Sequence, residues 1–351
     1  MLSDQDPGRE GYIQSVAEDH AAHSDIRYII EEQIAEGDKV ISRFTIRRIH
    51  DRGVFLGVAP TGMELKTTAI VIHRISGGKI VEERSESTGV LEATRRRLEQ
   101  ERIERERVEQ ELKVARRIQQ ASLPKTTPTL EGWQISPYYQ PAREVGGDFY
   151  DFHLLSEGRV GLAVGDATGK GVPAALVMST TCGMLRLAAQ SYSSPGEMLE
   201  RVNEALFANI PSNMFVTCFY AVLDPKSGSL SYANAGHDVP YVRRGGGDAA
   251  ELRARGMPLG LMPGMTYEEE EVTLEAGDSA LLYSDGLVEA HDAKRREMFG
   301  FPRLRGLVAQ HAERESLVDS LLEELYSFTG EGWEQEDDIT LLTLRRSTAG
   351  R

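Results

Sequence analysis

The chain has 351 residues, 40% of them hydrophobic and 27% charged. At one domain per ~150 residues this suggests about two domains with connecting material, and the chain is too apolar to be disordered throughout. Fifty-five acidic side chains against 40 basic ones give a net charge of −15, which repels phosphate backbones and anionic membranes and excludes general nucleic-acid binding. The excess of carboxylate leaves room for a divalent-cation site collected from aspartates. The sequence contains no apolar signal-peptide core and no run of ~20 apolar residues, so a cytoplasmic protein without membrane insertion is expected. Cys182 and Cys218, the only cysteines, lie in apolar sequence that predicts buried, reduced thiols.

A helix is predicted over residues 8–22. In the following stretch, 25–85, Val40, Ser42, Phe44 and Ile46 alternate with Ile41, Arg43, Thr45 and Arg47. A second alternation runs from Leu65 to Ile75, breaks at Ser76-Gly77-Gly78 and resumes at Ile80-Val81, which together predict a β-meander. Leu65 to Glu83, together with Glu36-Gly37-Asp38-Lys39-Val40 and residues 55–62, resembles SnoaL-like polyketide cyclase domains. The resemblance implies a small α+β cone, truncated at its N-terminus, with Thr88 where the family usually has a carboxylate. His73 is a candidate polar pocket residue, although a histidine on a strand is more often packed or solvated. A sensory or dimerising role is expected in place of cyclase chemistry.

From Leu91 to Gln120, sixteen of thirty residues are charged and glycine and proline are absent. Glu92, Glu101 and Glu109 each precede a basic residue by four positions, as in one continuous helix. With Leu91 at position a, the seam reads Leu91, Leu98, Arg105, Leu112 and Gln119 at a, with Thr94, Glu101, Val108, Ala115 and Ser122 at d. This register predicts a parallel dimeric coiled coil with a polar middle; the alternative is a single solvated helix. The organisation expected is residues 1–90 as the first domain, 91–123 as a helical linker and 124–351 as a second domain. Within the second domain, strands and helices come in runs of two, which predicts an α+β sandwich and argues against a doubly wound sheet.

The second domain carries four aspartates at strand ends or beside glycine, where backbone approaches an ion closely: Asp148, Asp166, Asp285 and Asp337. Hard oxygen donors of this kind suit Mg²⁺ or Mn²⁺. Their setting is the motif series Pro141-Ala142-Arg143-Glu144-Val145-Gly146-Gly147-Asp148, Gly165-Asp166-Ala167-Thr168-Gly169-Lys170-Gly171, Asn234-Ala235-Gly236-His237, Ser284-Asp285-Gly286 and Asp337-Asp338-Ile339-Thr340. In this order the series resembles the SpoIIE-type, RsbU-like branch of the PPM metal-dependent serine/threonine phosphatases, over residues 112–346. The run from Ala115 to Pro124 is also typical of that branch.

The resemblance implies an α/β/β/α sandwich and a centre holding two Mn²⁺ or Mg²⁺ ions. Asp166 bridges both ions and the Ala167 carbonyl is a further ligand. Asp148 holds one ion directly or through water, Asp285 and Asp337 complete the other, and Asp338 is the fallback for Asp337. Water shared by the ions then attacks phosphorus in line. The implied substrate is a phosphorylated regulatory protein, typically an anti-sigma-factor antagonist, and the alternative is a pseudophosphatase that acts as a signalling scaffold. Arg143 is either a phosphate clamp or a surface arginine, and His237 is expected to order a strand turn. A homodimer controlled through the first domain and the linker is expected.

Overall fold

The computed structural model describes residues 9–348 except 56, 87–89, 246, 295–296 and 312–315. The chain divides into two compact units, residues 1–110 and 111–351.

The first unit opens with α1 (Arg9–Ala22), followed by β1 (Ser24–Glu36), β2 (Lys39–His50), β3 (Met63–Ser76) and β4 (Lys79–Glu86). These strands form an antiparallel sheet in the order β1-β2-β3-β4, the meander that the alternating pattern predicts. Gly37, with φ of 62°, makes the tight β1–β2 turn in a conformation that a side chain disfavours. His73 is paired with Glu83 across β3 and β4 at 3.0 Å, a strand-surface contact. A buried polar group that the alternation does not reveal lies where α1 meets β2: Asp19 pairs with Arg48, and the His23 ring lies 5.3 Å from that of His50.

One helix, α2 (Val90–Ser122), follows, about 50 Å long at 1.5 Å per residue. Arg102 bridges Glu99 and Glu106 at 2.7 Å each along its surface, as charge spacing of this kind permits. Leu98, a seam residue in the predicted heptad, is fully buried with Val58 and Leu65, and Arg105 donates to the Thr61 carbonyl at 3.5 Å. Gln119, another seam residue, is buried as well, whereas Val108 on the seam and Ile103, Val114 and Ile118 outside it are exposed. Heptad spacing marks an apolar face but does not say what covers it; part of this face is covered by the chain itself.

The second unit continues with β5 (Trp133–Gln140), β6 (Asp148–Leu154), β7 (Val160–Ala167), α3 (Val172–Ala188), α4 (Pro195–Asn209), β8 (Val216–Leu223), β9 (Ser229–Ala235), β10 (Tyr241–Arg243) and β11 (Ala249–Glu251). It ends with β12 (Glu269–Thr273), β13 (Ser279–Tyr283), α5 (Asp285–Val288), α6 (Phe301–Gln310), α7 (Leu317–Thr329) and β14 (Ile339–Arg346). Two antiparallel sheets result, in the orders β11-β10-β13-β14-β5 and β12-β9-β8-β7-β6. Gly300 is the N-cap of α6, and Pro302 lies in its first turn. Proline is tolerated in a first turn because its missing N–H would have no intrahelical partner there.

The layering follows from strands that are apolar on both faces. Along β8, Phe219, Ala221 and Leu223 meet Val160, Leu162, Leu282, Leu342 and Leu344 between the sheets. The alternate residues Val216, Cys218, Tyr220 and Val222 pack under α3 and α4 with Met178, Leu185, Leu199 and Leu206. On the other side Leu281, Tyr283, Ile339 and Leu341 pack under α6 and α7. Strands buried on both faces read as continuous apolar runs, and each fully buried leucine contributes about 1.5–3 kcal/mol. The result is the expected α+β sandwich of two sheets between helical layers. Cys182 and Cys218 are both buried and unpaired, and burial pushes both thiols upward in pKa.

Candidate metal centre

Asp148 begins β6 and Asp166 lies near the end of β7; in the antiparallel register they are direct partners. Both carboxylates therefore project from the same face of the sheet, and like charges directly opposite each other are unfavourable. Asp148 is buried and accepts a hydrogen bond from Thr340 Oγ1 at 2.7 Å. Its pKa lies well above the usual carboxylate range, first because of burial and then because of Asp166 and Asp338. Asp166 is pushed up to about 8 by burial and by Asp285, Asp337 and Asp338. Asp285, at the start of α5, rises to about 6 through burial, Asp337, Glu289 and Asp238. The four predicted aspartates thus form one electrostatic group.

The two members of the Asp337-Asp338 pair have different surroundings. Asp338 Oδ1 accepts from Ala142 N at 2.8 Å, while Oδ2 accepts from Gly147 N at 2.6 Å and Asp148 N at 3.3 Å. Both of its oxygens staple the loop ahead of β6. Asp337 instead faces Lys170 Nζ at 2.8 Å, an ammonium that also donates to the Glu336 carbonyl at 2.7 Å.

A built-in Cβ at Gly147 would stand 2.6 Å from the Ala167 carbonyl oxygen and 2.8 Å from Asp166 Oδ1. Only glycine leaves that space beside two predicted ligands open. The Tyr139 hydroxyl and Asp238 Oδ2 are buried without a hydrogen-bond partner among the described residues. Tyr139 senses Asp338 and Asp148, and Asp238 senses Glu289 and acts on Asp285. Among the described residues no three acidic, histidine or cysteine side chains converge on one ligating point. Like-charged carboxylates, an open cradle and unpartnered hydroxyl and carboxylate oxygens fit hard divalent cations.

Arg143 is exposed on the loop ahead of β6. His237 is buried, with Nδ1 2.9 Å from Thr217 Oγ1. Asn234 brackets its backbone, accepting from His237 N at 2.7 Å and donating to His237 O at 2.9 Å. Burial lowers the imidazole to about 4, consistent with a structural turn residue. Lys170, Asp238 and Gln119 escaped the motif reading. Lys170 and Asp238 stand inside or directly after quoted motifs, but a lysine or aspartate in a loop carries no signal of its own.

Residues 156–347, more than half of the chain, match the family model for Stage II sporulation protein E (SpoIIE). The chain belongs to the SpoIIE family. The matched span contains Asp166, Asp285 and Asp337, and residues 1–88 match the SnoaL-like polyketide cyclase model, so a PP2C-type phosphatase domain follows a SnoaL-like one. Protein IcfG of Synechocystis sp. is 32% identical over 266 residues, which cover 68% of this chain and 42% of IcfG. Phosphoserine phosphatase RsbU of Bacillus subtilis is 30% identical over 242 residues, covering 67% of this chain and 70% of RsbU. The chain thus spans less than half of IcfG and about two-thirds of RsbU. Among solved structures, the SiaA-PP2C domain of Pseudomonas aeruginosa superposes with a TM-score of 0.61 at 25% identity, over 69% of this chain and 98% of that domain. Among the described residues no helix is long and apolar enough to cross a membrane.

Proposed function

We propose that this SpoIIE-family chain is a metal-dependent phosphatase that removes phosphate from phosphoserine or phosphothreonine on a regulatory protein. The observation that carries the reading is the pairing of Asp148 with Asp166 across β6 and β7, electrostatically joined to Asp285 and Asp337. Asp148, Asp166, Asp285 and Asp337, with the Ala167 carbonyl, would hold two Mn²⁺ or Mg²⁺ ions. Such a pair of cations supplies activated water for in-line attack and neutralises the phosphoryl oxygens. The chain's own residues do the positioning. Thr340 orients Asp148, Asp338 fixes the loop ahead of it, and Arg143 and Lys170 bring positive charge toward the substrate dianion.

The relative named phosphoserine phosphatase RsbU supports the phosphoserine class, and the SpoIIE resemblance points to an anti-sigma-factor antagonist as the protein that carries it. In this reading the SnoaL-like domain and α2 set the basal rate, in a cytoplasmic homodimer. Turnover of p-nitrophenyl phosphate and of a phosphoserine protein, with Mn²⁺, with Mg²⁺ and in excess chelator, tests the reading. Full activity in chelator would overturn it, and removal of residues 1–88 without any change in rate would overturn the regulatory part.

A further inference from the structure

At the end of the second sheet where Asp148 begins β6 and Asp166 nears the end of β7, the strand register continues past the aspartates. Ala167 pairs with Val216 on β8. On the far side of β8, Val216 exchanges both backbone hydrogen bonds with Leu259, at 2.9 and 2.8 Å. Because β9 ends at Ala235, the connection from β11 to β12 takes its place beside β8. Further bonds pin this connection. Leu252 N donates to the Pro240 carbonyl at 2.9 Å, Glu268 N to the Arg255 carbonyl at 3.0 Å, and Gly260 N to Asn203 Oδ1 on α4 at 2.9 Å. It is a fixed wall.

Between this wall and the end of β9 lies a cleft of about 470 Å³, whose lining includes Asn234, Gly236, Arg255, Gly256, Met257 and Met265. A Cβ at Gly236 would stand 2.9 Å from the Pro258 ring, and one at Gly256 would collide with the Asn234 carbonyl oxygen and lie 2.5 Å from the Tyr267 ring. Bare backbone is what lets the two sides approach this closely. Met257 is 40% exposed, and its unbranched thioether, with that of Met265, offers an apolar surface that adapts to its occupant.

We propose that this cleft is a specificity subsite, taking a large apolar side chain that the phosphoprotein carries about three residues from its phosphoserine. The proposal rests on the metal-centre reading above. Neighbouring strands lie about 4.8 Å apart, so Gly236 and Leu259, two strand positions from β7, stand about 10 Å from Asp166 and Ala167 along the sheet; an extended peptide advances about 3.3 Å per residue and covers that span in about three. Charge selects an apolar occupant over an acidic one. Arg255 adds one cation to the lining, but the exposed run Glu268 to Glu271 follows the wall directly, and the whole chain carries −15.

The test uses the full chain with Mn²⁺, p-nitrophenyl phosphate, and synthetic phosphoserine peptides of glycine and serine in which a single leucine is moved stepwise through both flanks. The expected result is a kcat/KM about 10-fold higher when the leucine stands about three residues from phosphoserine on one side, the size of effect an apolar pocket gives. Met257→Glu should abolish that preference and Met257→Leu should keep it, both with unchanged turnover of p-nitrophenyl phosphate. A peptide series indifferent to the leucine, or one that prefers glutamate at the same position, would overturn this inference alone. So would an equal loss on peptides and p-nitrophenyl phosphate in Met257→Glu, since the substitution would then act on the centre itself. Absence of Mn²⁺-dependent turnover of every substrate by the unaltered chain would overturn the phosphatase reading, and this inference with it.

Discussion

Asp148 and Asp166 are register partners on neighbouring antiparallel strands, so the sheet itself sets two buried carboxylates against each other. A stable fold does not choose that arrangement for its own sake, since burial and the neighbouring carboxylates raise both pKa values, Asp166 acting on Asp148 and Asp285, Asp337 and Asp338 acting on Asp166. A cation relieves the repulsion, and the energy of that relief is available to bind it.

Replacing Asp166 or Asp285 by Asn keeps size and deletes ligand charge. Mn²⁺-dependent turnover should fall by about 100-fold or more, at or beyond the top of the range for residues that merely orient ligands. In chelator, Asp166→Asn should unfold at a higher temperature than the unaltered chain, because it removes like-charge repulsion. Calorimetry in excess chelator checks the second expectation; a lower unfolding temperature would count against the crowded-carboxylate account.

Asp338 serves three backbone N–H groups, and its removal leaves those of Gly147 and Asp148 buried, and that of Ala142 half-buried, without this acceptor. Asp338→Ala should destabilise the second unit by about 3–5 kcal/mol, measured by urea unfolding at fixed Mn²⁺. Saturating Mn²⁺ should not restore its turnover, since the loop ahead of Asp148 is then unanchored. Recovery of full turnover at high Mn²⁺ would assign Asp338 a lesser part.

Lys170 Nζ lies 2.8 Å from Asp337, so in the proposed reading it competes with a cation for that carboxylate. Lys170→Gln should tighten Mn²⁺ binding about fivefold at low salt, with the gain shrinking at high ionic strength, because the pair is 43% and 38% exposed and so is screened. Titration of both proteins at two salt concentrations reads this directly. A weaker Mn²⁺ site in the variant would show that Lys170 supports the ligand and does not compete with the metal.

His237 is buried and held at about 4 against an ordinary value of 6.5. Because the folded chain keeps it neutral, its contribution is intact above pH 6.5 and is lost as pH falls from 6.5 toward 4. The loss is on the order of 3 kcal/mol at the acid end. The imidazole proton signals, followed by NMR through that window, should show one histidine that does not titrate until near pH 4. A resonance set in which every histidine titrates near 6.5 contradicts this.

Arg143 is exposed on the loop ahead of β6. Arg143→Ala should raise KM for a phosphoprotein several-fold while leaving Mn²⁺ affinity untouched. Unchanged kinetics would reduce it to a surface arginine.

The sequence alone singled out Asp148, Asp166, Asp285 and Asp337 as candidates, because they sit in short motifs whose glycines and strand ends are local features. It also carried the two-sheet sandwich, since strands apolar on both faces demand cover on both. Periodicity likewise revealed the continuous α2 helix. What only the tertiary structure decided is how those local pieces share partners. Asp337 and Asp338 are adjacent and chemically identical, yet one faces Lys170 and the other caps three N–H groups from residues 142–148. Leu98 and Gln119 occupy equivalent heptad positions, yet one fills a small apolar core and the other grips Gly146. Motifs and periods record what a residue can do within a few positions of chain; which contact it makes depends on groups up to about two hundred residues away, brought together by packing that no local pattern encodes.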